Sequence, residues 1–469
     1  MSGSGRGGMR SAKTVVFDKF YGGGLATRRG EMVATRAKNC DFEKGALRCG
    51  YGALAYHPDF DPTRGIANAA TVYGKPKLVF TALVNSTTLG YVCRTIGGQA
   101  QVNRIFMYDP DTDLVKHVVM PSNLRTVLSY VHPSGETKAI FCCEDQLFFY
   151  DFVNKSKKIM ADTLTGACLY HERLFVSNKS VVKYTTPMDI SNFEADFYGG
   201  GEIDFRGDRG EIVWLECVGE SVYVFMQYGI SIISASGVGS EFQVLDIPYG
   251  GGHIIPRTMC TYEQRLVFAT YDGIYVLDGK KCSKFKDFQY SPMKDSTLKA
   301  TAGLTDNRYF LYYVDEAGKT RSLAVDLEDS RNTSEYFILH GINQSGGKAV
   351  CAIDYAYCYL DRKGNLAEGE GYVFEADARD LGSPKEKTLT YLSLYGCGSC
   401  TLTVVGRYGE KTFVFDLGDG VEPNGGGMVG MKRKRIGLFG RKFSFKFTLQ
   451  KGCVIEKMVV EYDELGGVK

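Results

Sequence analysis

The chain reads as an all-β protein: a β-propeller of about seven blades, with six or eight as the alternatives, followed by a C-terminal β-sandwich-like domain. Three observations predict this. Short apolar runs separated by turn residues fill the chain from about Lys77 onward, a two-strand unit recurs every 43 to 48 residues, and 30 Tyr, 28 Phe and 56 Gly stand beside only 12 Pro and a single Trp. Aromatic side chains suit pleated, half-buried surfaces and glycine suits tight turns, so the balance favours strands. No long amphipathic helix is legible, and 469 residues suffice for one large repeat domain plus an addition.

Residues 1–30, opening MSGSGRGGMR and carrying GGG at 22–24, show neither helical nor strand periodicity and are expected to be a flexible arm, ordered only where a partner holds it. Beyond the arm the recurring unit is a polar pair, a strand, a turn and a second strand. It begins at Glu172 (ERLFVSNKSVVKYTT), Glu220 (ESVYVFMQYGISIISA), Glu263 (EQRLVFATYDGIYVLDG) and Asn307 (NRYFLYYVDEAGKTRSLAVDL). The matching positions Arg173, Ser221, Arg265 and Arg308 keep the spacing of a four-stranded propeller blade. Hairpins from Asn103 and Lys138 fit less regularly, and AYCYLDRKGNLAEGEGYVFEAD from Ala356 supplies a last unit. One four-stranded sheet cannot bury both faces alone, whereas blades around a common axis can, and ring closure protects strand edges. Stacked β-sandwiches are the structural competitor.

The propeller is expected over 31–380. After about Leu381 the spacing changes: KTLTYLSLYG, CTLTVVGRYG, KTFVFDLGDG, a Gly-rich stretch at 425–427 and RKFSFKFTLQKGCVIEKMVVEYDE form another strand set, assigned to a sandwich over 381–469. RKFSFKFTLQ alternates so that Phe443, Phe445 and Phe447 share one face and charge the other.

Formal charge is only +2, from 56 basic and 54 acidic side chains, so no global positive field drives DNA binding; contact with DNA must be local or loose. No secretory signal and no apolar run of about 18 residues is present, which predicts a soluble, unsecreted protein without a membrane contact. The 14 Cys are scattered through strand-like segments and are expected to be reduced, buried thiols. Five Asn-x-Ser/Thr sequons, at Asn85, Asn154, Asn178, Asn332 and Asn343, are then chance matches.

The motifs that could carry chemistry each fall short. Asp109, Asp111 and Asp113 open like a calcium loop, but Leu114 and Met120 occupy positions where an EF-hand needs Gly and Glu. Gly3, Gly5 and Gly8 spell GxGxxG without a strand before or a helix after. His171-Glu172 begins like a zinc-protease helix but lacks the second His and lies in strand-like sequence. Cys397 and Cys400 in GCGSC have metal-hairpin spacing, yet a zinc site would want a second pair. No nucleophile elbow or triad pattern is found. No catalytic residue, cofactor or metal is assigned, and the chain is expected not to be an enzyme.

The concentrated charge feature is Lys432, Arg433, Lys434 and Arg435, joined by Arg441 and Lys442. Its bland reading is a solvated strand edge that discourages edge-to-edge pairing. Its functional reading is a contact with DNA phosphates or with an acidic partner surface.

Three stretches resemble the accessory proteins of short-tailed bacteriophages, namely the packaged-DNA stabilisation proteins and the related tubular tail-nozzle proteins. They are AKNCDFEKGALRCGYGALAY at 37–56; the two blades from ISNFEADFYGGGEIDFRGDRGEIVWLECVGESVYVFMQYGISIISASG to GHIIPRTMCTYEQRLVFATYDGIYVLDG; and MKRKRIGLFGRKFSFKFTLQKGCVIEKMVVEYDE with its basic entry. The resemblance implies a structural virion protein of the tail or head–tail connector, made in the host bacterial cytoplasm. It implies a homo-oligomer, a ring of six, below the portal or adaptor protein and above a distal tail protein, retaining and conducting double-stranded genomic DNA. Two other readings stand beside it. One is a propeller scaffold binding other proteins; the other is a sialidase-like glycan hydrolase, for which Trp214 is the one tryptophan and Asp-box repeats are not evident.

Overall fold

The computed structural model describes residues 12–24, 28, 30–55, 122–131, 135, 137–150, 157–194, 199–234, 242–287, 300–353, 356–418 and 429–465, together with the backbone of four strands between 78 and 120. The described residues contain no helix, and they divide into two compact units. The expected calcium-like loop beyond Asp109, the GxGxxG glycines, Asn85, Asn154 and the stretch 425–427 lie outside the described residues.

The propeller unit comprises residues 53–322 and 338–361. Among the described residues it holds six four-stranded antiparallel sheets and a seventh blade that opens with Thr301–Thr305 and Arg308–Val314, in line with the about seven blades expected. Blade 1 is built from Leu78–Val79, Thr88–Arg94, Val102–Asp109 and Leu114–Met120; blade 2 from Leu124–Val131, Thr137–Cys143, Gln146–Tyr150 and Lys157–Ala161. Gly166–Tyr170, Arg173–Ser177, Val181–Tyr184 and Gly201–Asp204 make blade 3; Ile212–Val218, Ser221–Met226, Gly229–Ser234 and Gln243–Ile247 make blade 4. Blade 5 follows with Cys260–Tyr262, Arg265–Thr270, Gly273–Asp278 and Lys281–Asp287. Blade 6 contains Thr301–Thr305, Arg308–Val314 and the start of Thr320–Asp326; blade 7 contains His340–Ser345, Lys348–Ile353 and Ala356–Asp361. Strand Gly52–Ala55, from the other end of the chain, completes blade 7 beside Ala356–Asp361. The ring is therefore fastened by pairing its first strand with its last, as the outer strand of blade 7.

The sequence repeat marks one geometric position. Arg173, Ser221, Arg265 and Arg308 each open the second strand of their blade, and each pairs with the residue just before a two-residue loop: Tyr170, Val218, Tyr262 and Thr305. Such loops need left-handed backbone, supplied here by His171 (φ 45°), Glu172 (φ 59°), Gly219 (φ 59°), Glu263 (φ 55°) and Asp306 (φ 52°). His171-Glu172 is thus a hairpin turn and not the start of a metal-binding helix.

Period-two alternation explains why blade strands read as continuous apolar runs. In Ser221–Met226, Val222, Val224 and Met226 pack toward blade 3 with Phe175 and Val182, whereas Tyr223 and Phe225 pack toward blade 5 with Leu266, Phe268 and Leu277. The Phe225 and Phe268 rings meet at 5.3 Å between centroids. Both faces are buried, so both parities are apolar. Inner strands approach closely where glycine stands: a Cβ on Gly303 would lie 2.7 Å from the Asn343 carbonyl oxygen, and one on Gly166 would lie 2.9 Å from the Leu215 amide nitrogen.

The sandwich unit comprises residues 1–52, 323–337 and 362–469. One sheet runs Gly430–Gly440, Lys387–Cys397, Val454–Glu464, Ala46–Cys49, Cys40–Glu43, with Lys13–Phe17 also paired to Val454–Glu464. The facing sheet contains Thr333–Glu335, Arg36–Lys38, Tyr372–Arg379, Phe443–Leu449, Ser399–Gly406 and Gly409–Asp416. Leu389, Leu392, Met458 and Val460 from the first share one core with Phe374, Leu402, Phe443, Phe445 and Phe447 from the second. The predicted phenylalanine face of RKFSFKFTLQ is therefore the core face.

Two expectations are corrected. The arm at 1–30 is not free where it is described: Lys13–Phe17 pairs with Met458–Tyr462, and Lys19–Tyr21 pairs in parallel with Glu31–Val33. The reason is burial, because Val15, Phe17 and Phe20 belong to the sandwich core. The boundaries 31–380 and 381–469 also fail, since residues 31–52, 323–337 and 362–380 fold with the sandwich. Asn39 helps hold that insertion: buried at φ 55°, it accepts from the Phe337 amide at 2.8 Å and donates to the Gly371 carbonyl at 2.9 Å. Among the sequons, Asn332 is buried and donates to the Phe42 carbonyl, and Asn178 accepts from the amides of Ser180 and Val181, so both side chains serve the fold. No helix among the described residues is long and apolar enough to cross a membrane.

Candidate functional site

The basic run lies on strand Gly430–Gly440, which ends the six-stranded sheet and pairs on one side only, with Lys387–Cys397. Met431 to Arg435 are five consecutive exposed residues. Exposure of both parities is what an edge strand permits and a central strand does not.

The register distributes the charge over both faces. Arg433 and Arg435 stand opposite Ser393 and Tyr391, while Lys432 and Lys434 stand opposite the core residues Leu394 and Leu392. On the first face the Arg433 guanidinium lies 3.9 Å from the centre of the Tyr391 ring and bonds Glu461 at 2.6 Å; nearby, Lys457 sits 4.4 Å over Tyr395. On the second, the Lys434 ammonium approaches the Phe415 ring at 5.7 Å. The outcome is a band in which cations alternate with aromatic rings, a combination that suits stacking as well as charge attraction. Tyr391, Tyr395 and Lys457 were not singled out by sequence; their alternation with Leu392 and Leu394 was the available signal.

The band ends at a bulge. Register shifts between Leu389 and Tyr391, where Gly437 takes φ 63°, and Ile436 and Leu438 turn into the core. The ammonium of Lys411 donates to the Ile436 carbonyl at 2.7 Å, closing part of the edge against further pairing.

Arg441 and Lys442 are separated from this group. Six residues beyond Arg435, Arg441 lies roughly 20 Å along the strand at the usual rise per residue. Its Nε donates to the Pro384 carbonyl at 2.8 Å, while its own carbonyl accepts from the buried Lys387 ammonium at 2.7 Å. Burial lowers the pKa of Lys387 from the ordinary lysine value. Lys442 and Arg441 line a cleft of about 670 Å³ with Arg407 and Asp380. The six cations thus form two sites, four on the edge and two at the turn.

The opposite face of the sandwich shows what is unusual here. There Arg36 pairs with Glu335 at 3.8 Å, Lys38 with Glu370 at 2.6 Å and Lys446 with Glu375 at 2.8 Å. On the edge strand only Arg433 has a carboxylate; Lys432, Lys434 and Arg435 have none among the described residues. Lys432 and Lys434 stand two apart on one face with Arg435 following on the other, so the uncompensated cations repel one another and an external anion relieves that repulsion.

The GCGSC turn is more crowded with sulfur than its sequence suggests. Cys453 shares a thiol hydrogen bond with Cys400, and Cys49 approaches the same turn, its thiol donating to the Gln450 carbonyl at 3.0 Å. Burial pushes the Cys49 pKa up to about 12. Even so, no group of three or more His, Cys, Asp or Glu among the described residues is arranged to hold a metal ion. Trp214 is buried, its indole donating to Glu216 at 3.1 Å, so it offers no exposed platform for a sugar ring.

No protein-family model and no curated protein matches the chain. Solved structures with a similar course include the Pan2 WD40 domain of Neurospora crassa, at 13% identity over 66% of this chain and 93% of that one, with a TM-score of 0.38. The N-terminal domain of Nup159 matches at 7% identity over 70% and 98%, TM-score 0.37. The β-propeller domain of the Trilobed protease from Pyrococcus furiosus matches at 10% identity over 62% and 94%, TM-score 0.36.

Proposed function

We propose that this β-propeller protein is a non-catalytic assembly subunit, and that its assembly is a ring in a bacteriophage tail or head–tail connector. The observation that supports this most is what the three resembling stretches do in the fold. The hairpin at 37–49 is built into the sandwich, and strand Gly52–Ala55 directly after it fastens the propeller ring. Blades 4 and 5 share a core that includes Trp214, Tyr223, Phe225, Phe268 and Tyr275, and the closing stretch forms the basic edge and the phenylalanine core strand. All three are scaffold and surface. In such a ring the edge cations meet either DNA phosphates or an acidic neighbour, and near-neutral net charge keeps the contact loose enough for DNA to move.

Mass photometry of the full chain, alone and with the portal and adaptor proteins of the same virus, is the direct test. A discrete ring, six copies by the resemblance, is expected; a monomer under every mixture would sink the proposal. Binding to a short DNA duplex across a potassium chloride series tests the edge. With Lys432, Lys434 and Arg435 all changed to Glu, the log–log salt slope is expected to fall by about 2 to 3, one phosphate contact each. An unchanged slope would leave the run as an edge guard or a protein contact.

The second reading, a propeller scaffold for other proteins, is favoured by the propeller itself, because fold alone does not choose a partner. It predicts stable complexes with non-virion partners and no self-assembled ring.

A further inference from the structure

Strand Gly430–Gly440 ends its sheet, and from Met431 to Arg435 every residue is exposed. Both ends of that open stretch are closed off by the chain around strand Gly409–Asp416. A Cβ on Gly430 would strike the Leu417 carbonyl oxygen, and the Lys411 ammonium holds the Ile436 carbonyl at 2.7 Å. Between these two contacts the outward backbone N–H and C=O groups have no partner among the described residues. We propose that this stretch docks an extended, acidic segment of another protein as an added β-strand, with carboxylates on both of its faces. The inference rests on the acidic-neighbour arm of the function proposed above and does not require the ring.

The placement of charge decides between kinds of anion. Lys432 and Lys434 project on one face of the strand, and Arg433 and Arg435 on the other. A DNA duplex approaches as a broad surface and meets one face at a time. An added strand lies in the plane of the sheet and presents its own side chains to both faces, so cations of either parity find carboxylates at once. Cations on one face stand about 7 Å apart, the repeat of alternate side chains in an extended chain. Arg433 already bonds Glu461 at 2.6 Å, whereas Lys432, Lys434 and Arg435 have no carboxylate among the described residues. A guard against edge pairing gains nothing from cations in unbroken succession, whose mutual repulsion is a cost.

Consecutive cations on both faces call for consecutive acids in the occupant. No run of more than two acidic residues occurs in this chain, so a second copy does not supply the strand, and its basic edge would repel this one. An acidic run is disordered by itself because its charges repel; docking on the basic edge removes that repulsion as it fixes the backbone.

Fluorescence anisotropy of the full chain with a labelled peptide of four consecutive glutamates between threonines is the test. At about 50 mM potassium chloride, saturable binding is expected. A fully N-methylated peptide of the same charge should bind roughly tenfold more weakly, since it lacks the donors for strand pairing. Hydrogen exchange should show amides within Met431–Arg435 protected by the first peptide and not by the second. Changing Lys432, Lys434 and Arg435 together to Glu should weaken the glutamate peptide roughly tenfold or more and create binding to the matching lysine peptide, a reversal that a misfolded variant would not give. Equal binding of the N-methylated peptide would overturn the proposal by showing attraction without strand pairing, as would binding that leaves the edge amides unprotected. Protection of those amides by a short DNA duplex but not by the peptide would overturn it in favour of a nucleic-acid surface. Ring formation is read separately by mass photometry, so failure of this inference and failure of the ring are distinguishable.

Discussion

Truncating Phe374 to alanine is expected to destabilise the sandwich unit by about 3 to 5 kcal/mol, the range for removing a fully buried aromatic ring whose site cannot collapse. Phe374 has no exposed surface and contacts rings from three other chain segments: Phe20 at 5.8 Å, Phe42 at 6.0 Å and Phe447 at 6.0 Å. These rings meet edge-on or tilted, so the loss includes ring–ring attraction as well as buried area. The backbone around the void is held by strand pairing on both sides, to Arg36–Lys38 and to Phe443–Leu449, and cannot move in to fill it. Hydrogen exchange at the amides of Phe443–Leu449 reads the effect without requiring one global transition. Val414→Ala, at a position 61% exposed on the edge strand Gly409–Asp416 of the same sheet, should change stability by less than about 0.5 kcal/mol. A Phe374→Ala loss no larger than that of Val414→Ala would mean that the two sheets do not share the core described.

The same cluster shows which parts of the fold were legible in sequence. Phe443, Phe445 and Phe447 announced a core face by strict alternation within one strand. Phe20 did not, because Lys19–Tyr21 is three residues long and its partners lie elsewhere in the chain, so no local period records its burial. Lys13–Phe17 pairs with residues more than 400 positions away, and a ladder that long leaves no trace in either segment alone. The blades are the opposite case. Their pairings are hairpins with two-residue loops, so the polar pair, strand and turn recur at a fixed offset and Arg173, Ser221, Arg265 and Arg308 coincide in the structure.

For the candidate site the charge was legible and the company it keeps was not. Four consecutive cations could be read as an exposed edge. That Arg433 lies over Tyr391 and Lys457 over Tyr395 depends on the bulge at Gly437 and on which strand pairs with Lys387–Cys397. Glu216 in blade 4 had a weaker signal: it interrupts the apolar run IVWLECV, and a carboxylate in a buried strand either has a partner or gives up its charge.

Glu216 therefore carries a measurable consequence for stability. Its carboxyl titrates near 7 in the folded chain and near the ordinary glutamate value when unfolded. Between those two values the folded state holds the proton more tightly, so raising pH costs the folded state stability. Below about pH 4.5 both states are protonated and the group contributes no penalty; above about pH 7 the penalty is complete, at up to about 3 kcal/mol. Glu216→Gln abolishes the titration, so the variant should gain on the native chain progressively across this window and hold a constant advantage above it. The indole of Trp214 donates to Glu216 and is the sole tryptophan, which makes its fluorescence a reporter of unfolding in the propeller unit. Carboxylates held low by partners oppose the trend at acid pH. Asp272, whose pKa is brought down to about 2 by bonds from Lys284, Thr270 and Tyr275, loses its contribution progressively as pH falls from the ordinary aspartate range through that value. The difference between native chain and variant cancels such background, and a difference that stays flat from about pH 5 to pH 8 would show that Glu216 is ionised in the folded propeller throughout.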